Sequence, residues 1–168
     1  FSLREFIQLK TGLNLPQVTL EEILKDHETI SREIMGMVNP LNYLADYTHH
    51  GYYPFFLEDR NYSENLLKNI NMMLEVDVSF LRNLDQRLLP KLRRLLYELG
   101  RTAPTSPNIS QLSQMISASR ATISNYMHIL SDAGLVTQLY RVGAEATTRK
   151  PAMCYLQNTN IGYALVPE

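Results

Sequence analysis

Between Ile109 and Leu130 the apolar positions recur every three or four residues. Ile109, Leu112, Met115 and Ile116 make one stripe, "SAS" interrupts it, and Ile123, Tyr126, Met127 and Leu130 make a second. That spacing predicts two short amphipathic helices. Asn108, with Gln111 at the third helical position, is a good N-cap for the first, and Ser119 can cap the second. Gly134 supplies the left-handed residue that ends a helix. After it, "LVTQLYRV" reads as a strand, "GAEATTRKP" as a loop and "AMCYL" as a returning strand.

Upstream, "DQRLLPKLRRLLYELGR" from Asp85 to Arg101 places Leu88, Leu92, Leu95, Leu96 and Leu99 on one stripe, with Lys91, Arg93, Arg94 and Glu98 mostly off it. Pro90 is tolerated in the first turn. The punctuating "TAPTSPN" is a loop. Helix, helix, turn, helix, hairpin is the order of a winged helix. In the N-terminal half, Ser2 with Glu5 and Thr19 with Glu22 are capping boxes, and Leu20, Ile23, Leu24, Ile30 and Ile34 fall near one face of the second helix. A third helix follows Asn39-Pro40 with Leu41, Leu44 and Tyr47, ending at "HHGYYPFFLED", and a fourth runs from about Tyr62 to Leu74. The expected architecture is mainly α. A helical segment over 1–84 leads into a winged helix-turn-helix with a small β-hairpin wing over 85–160, and 161–168 begins a further C-terminal region.

Composition narrows the function classes. With 168 residues, 45% apolar and 20% charged, the chain can bury a globular core. A lone cysteine, Cys154, rules out an internal disulfide framework and a cysteine-built zinc site, which favours a reducing cytoplasm. No basic-then-apolar leader and no uninterrupted apolar run of about 18 residues is present. Phe1 stands where a native start would carry Met, so the chain reads as processed or as a fragment of a longer protein. The net charge of −1 hides an asymmetry: residues 1–84 hold 7 Lys/Arg against 12 Asp/Glu, residues 85–168 hold 9 against 5. The basic half carries the helix pair, as a phosphate-contacting module requires.

For a DNA reader, the second helix of the pair enters the major groove. Its solvent face would be Ala121, Ser124, Asn125, His128 and Asp132, with Arg120 and Thr122 at the N-terminal rim. Asn125 suits adenine, and Arg120 suits guanine or phosphate. Arg149 and Lys150 on the wing would contact the backbone. Double-stranded DNA is the partner this predicts. The alternative is a protein-interaction module, since Asp132 on the same face repels phosphate.

The series "SLREFIQLKTG", "LEEIL", "GYYPFFLED", "MLEVDV", the long "KLRRLLYELGRTAPTSPNISQLSQMISASRATISNYMHILSDAGLV" and "KPAMCYLQNTNIGYAL" resembles the region after the ATPase core of prokaryotic AAA-type ATPases. In those proteins a helical segment, a winged helix and a nuclease-like domain follow the core. The resemblance covers nearly all of the chain, and it implies an ATPase core in cis that binds ATP and magnesium in the full-length protein. Here no G-x-x-x-x-G-K-[ST] phosphate cradle occurs. No catalytic residue, cofactor or metal site is therefore expected in this stretch. Gln157 stands where an aspartate often follows the Tyr-Leu pair in the family, and the sequence ends before a set of nuclease acids could assemble.

Other residues offer weaker chemistry. Adjacent His49 and His50 read as loop surface rather than metal ligands, with no carboxylate at ligand spacing on one helix. His27 reads as a helix-surface or partly buried histidine, and Cys154 as a small core hydrophobe. The aromatic run "GYYPFF" could stack bases or dock a partner, or pack internally. Arg93 and Arg94 read as a solvated helix face.

Overall fold

The computed structural model describes residues 1–58, 61–78, 86–141 and 151–166. The chain is mainly helical with one small antiparallel sheet, and it divides into two compact units, Phe1–Tyr62 and Ser63–Glu168. The boundary expected at 84/85 lies outside the described residues. No helix among those described is long and apolar enough to cross a membrane.

In the N-terminal unit, α1 (Leu3–Thr11) starts from the Ser2/Glu5 capping box, in which the Ser2 amide donates to Glu5 Oε2 over 2.8 Å. Its buried Phe6 packs edge-on against Phe56, with ring centroids 4.7 Å apart, and against Tyr47 at 5.6 Å. α3 (Leu41–Asp46) runs straight into a π-helical turn over Tyr47–Gly51. Gly51 is required there. A Cβ at this position would stand 2.3 Å from Tyr47 Cδ2 and 2.9 Å from Phe6 Cδ2. The helix thus continues where a loop is expected, because its glycine lets the turn close onto the aromatic cluster. "GYYPFF" contributes to that cluster: Phe56 is buried, and Tyr52, Tyr53 and Phe55 are half-buried in mutual ring contacts.

α2 (Leu20–Met37) forms from its Thr19/Glu22 capping box, but buries none of its residues. Asp26 leaves the helical region (φ −151°, ψ 54°), and its Oδ1 accepts from the Thr29 amide over 3.3 Å. An aspartate placed so acts as an N-cap inside the run.

The C-terminal unit is organised by α5 (Leu89–Thr102), which buries Leu89, Leu92, Leu95, Leu96 and Leu99. Leu88 is only half-buried, in the 3₁₀ turn Gln86–Leu88. The stripe starts one residue later than expected, since 89, 92, 96 and 99 keep the helical period. Before it, α4 (Tyr62–Met72) and the π-helical Met73–Val78 bury Leu66, Ile70 and Leu74, and Glu75 pairs with Arg93 of α5. α5 packs on α6 (Ile109–Ile116), α7 (Arg120–Asp132), β2 (Met153–Leu156) and α8 (Thr159–Leu165).

The predicted caps form. Asn108 Oδ1 accepts from the Gln111 amide, Ser119 Oγ accepts from the Thr122 amide, and Gly134 takes a positive φ of 66°. Lys91 Nζ donates to Ser117 O over 2.7 Å, placing a cation at the carbonyl end of α6. β1 (Val136–Leu139) pairs antiparallel with β2, Val136 opposite Leu156 and Gln138 opposite Cys154. On the far edge of β2, Thr105 and Cys154 exchange backbone hydrogen bonds of 2.7 and 3.1 Å. Cys154 is buried, and burial pushes its thiol up to about 11.

Tyr126 lies in this core with no hydrogen-bond partner for its hydroxyl among the described residues, and burial raises the phenol above its ordinary value. A buried polar atom left unpaired costs more than an apolar surface of the same shape. Tyr126→Phe is therefore expected to leave the urea midpoint unchanged or raise it, whereas Leu95→Ala, at a fully buried position, costs about 2–5 kcal/mol. A loss beyond about 1 kcal/mol in Tyr126→Phe would mean that the hydroxyl has a partner.

Candidate nucleic-acid interface and a polar cleft

α7 turns Ile123, Tyr126, Met127, Ile129 and Leu130 inward. The same period leaves Ala121, Ser124, Asn125, His128 and Asp132 outward on one stripe, with Arg120 on the first turn. Arg120, Asn125, His128 and Asp132 are exposed, while Ser124 and Thr122 are half-buried. Arg120, Asn125 and His128 make no hydrogen bond or ion pair among the described residues, so their polar groups are open to an external partner. Thr122 is engaged: its Oγ1 lies 2.8 Å from Ser119 Oγ within the N-cap. Arg149 and Lys150 lie outside the described residues. Gln157, where the resemblance raised a nuclease aspartate, is exposed, and its Oε1 accepts from Thr137 Oγ1 over 2.9 Å.

One concavity was not foreseen in the sequence. In the N-terminal unit, a cleft of about 210 Å³ is lined by Lys10, Asp46, His50, Phe55, Asn61 and Tyr62, among others. Asp46 sits one turn before His50, and its Oδ1 lies 3.3 Å from His50 Nδ1, while Oδ2 pairs with Lys10. His50 is thus on a helical turn with a carboxylate partner, contrary to the loop-surface expectation. The i, i+4 relation of Asp46 and His50 was the available signal, visible only once the helix is carried past Tyr47. Among the described residues no three His, Cys, Asp or Glu side chains converge as metal ligands.

The electrostatics of the cleft are structural in character. Burial would raise the Asp46 carboxyl, but hydrogen bonds and charge from Lys10 and His50 outweigh it and hold the group below 3.8. Tyr62, packed edge-on with His50 at 5.1 Å, is pushed by burial up to about 12. Because the folded state lowers the Asp46 value, its contribution to stability is present above the ordinary carboxylate range and is lost as pH falls through the lowered value. Asp46→Asn should lower the urea midpoint at neutral pH, and the gap from wild type should close as pH drops below 3.8. A gap independent of pH would show that the carboxylate charge plays no part.

Another concavity, apolar and about 520 Å³, lies in the C-terminal unit between Pro104, Tyr155, Leu156, Thr159, Tyr163 and Val166. Among the described residues, no charged side chain lines it.

Comparison with curated proteins finds no match, and comparison with solved structures finds none either. One family match spans residues 41–166, from the start of α3 to the end of α8 and beyond it by one residue, and leaves α1 and α2 outside. The chain belongs to that family, described as a domain of unknown function (DUF8612).

Proposed function

We propose that this chain is a non-catalytic winged-helix module that binds double-stranded DNA and regulates an AAA-type ATPase core in the same polypeptide. The observation that carries the reading is the outward stripe of α7, where Arg120, Asn125 and His128 stand exposed and make no hydrogen bond or ion pair among the described residues. A recognition helix needs such a face over a buried one. The order α5, the Thr105 pairing, α6, α7, β1 and β2 is in keeping with a winged helix. Asn125 is suited to adenine and Arg120 to guanine or phosphate, with Ser124 beside them, while Thr122 contributes through the cap. Arg149 and Lys150 in the β1–β2 link would add backbone contacts. ATP and magnesium would belong to the ATPase core.

A second reading, an adaptor that joins the core to a protein partner, is favoured by exposed Asp132 on the same stripe. Fluorescence anisotropy of a labelled duplex, titrated at several salt concentrations, separates the two. Under the DNA reading, binding weakens with salt, and Arg120→Ala reduces the log–log slope by about one. Absence of binding at low salt would transfer the assignment to the adaptor. The pure chain should also show no ATP turnover in a phosphate-release assay, and turnover abolished by no contaminant control would sink the non-catalytic assignment.

A further inference from the structure

Among the described residues, none buries the apolar seam of α2. Leu20, His27 and Ile34 repeat every seven residues, and so do Ile23, Ile30 and Met37, so that the six fall at the a and d positions of successive heptads. Leu20 is 71% exposed, Ile23 44% and Met37 46%, while Ile30 and Ile34 are half-buried. A run of this kind is stable when a second helix supplies the facing side chains.

The charges beside the seam define that helix. Asp26 and Glu33 occupy the g positions, whereas Leu24 and Ser31 occupy e. The cations Lys25 and Arg32 sit at f, on the side away from the seam, and Arg32 is paired with Glu28. A parallel second copy would set Asp26 and Glu33 beside uncharged e residues, and an antiparallel copy would set carboxylate against carboxylate. Self-pairing gains nothing from these flanks. Nucleic acid and anionic lipid are repelled by Glu21, Glu22, Asp26, Glu28 and Glu33.

We infer that α2 is the docking helix for a partner helix whose apolar stripe is flanked by Lys and Arg. The heptads keep register across Asp26, where the backbone now breaks, so docking requires Asp26 to enter the helix and release the Thr29 amide. The inference is independent of the DNA reading, which concerns α7.

The test uses the full chain and two synthetic three-heptad peptides with Leu at a and d, one with Lys at e and g and the other with Glu there. Binding is read by anisotropy of the labelled peptide. The Lys peptide should bind at least tenfold tighter than the Glu peptide. Ile23→Asp, at an exposed position, should abolish binding while far-ultraviolet circular dichroism shows the fold retained, Glu33→Lys should largely erase the preference between the peptides, and Asp26→Lys with Glu33→Lys should reverse it. Asp26→Glu keeps the charge and favours helix, so it should bind the Lys peptide several-fold tighter. Equal binding of both peptides, or binding of neither, overturns the inference. So does a concentration-dependent dimer in sedimentation that Ile23→Asp disperses, since a second copy would then be the occupant.

Discussion

Five leucines on α5 hold the C-terminal unit together. Leu89, Leu92, Leu95, Leu96 and Leu99 are buried, and α6, α7, α8 and β2 all pack on the helix that bears them. Each such side chain removed from water contributes roughly 1.5–3 kcal/mol. The orientation of α7 follows from this. Once Ile123, Tyr126, Met127 and Leu130 are committed to the core, the polar residues between them have only the solvent side left. The stripe proposed to meet DNA is thus the complement of a packing requirement, with its chemistry set by which polar residues fill the vacant positions.

The N-terminal unit is built on a different principle. Its centre is aromatic, with Phe6 between Tyr47 and Phe56, and the polar cleft of Lys10, Asp46 and His50 closes beside it. Rings prefer tilted and edge-on contacts, which tie this cluster to particular rotamers more firmly than aliphatic side chains would. α2 adds no fully buried residue to that centre: amphipathic, it has only Ile30 and Ile34 half-buried on its seam. The family match also starts after it, at residue 41.

Helix starts were legible in the sequence because capping is local. Ser2, Thr19, Asn108 and Ser119 each accept from the amide three residues on, and no distant residue is needed to make that bond. The two faces of α7 were legible for the same reason, from period alone. What escaped were features that depend on partners far along the chain. The π-helical turn at Tyr47–Gly51 exists because Gly51 meets Phe6 from α1, and that contact spans forty-five residues of sequence. The Asp46–His50 pair could be found only with that turn in place. α8 went unforeseen because its short run, Thr159–Leu165, is stabilised by burying Ile161 and Ala164 and by the Asn158 cap, and Gly162 within it argues against a helix on propensity. The interior break at Asp26 arises where an aspartate competes for a backbone amide within an otherwise regular stripe.

The exchange of hydrogen bonds between Thr105 and Cys154 joins segments that the helix pair separates by almost fifty residues. Thr105 lies three residues before Asn108, the cap of α6, and Cys154 lies in the strand that returns from the β1–β2 link. The returning strand of the hairpin and the root of the helix pair are therefore joined at one point of backbone. A substitution that displaces the backbone at Thr105 would therefore be felt both in β2 and in the segment that leads into the α6 cap.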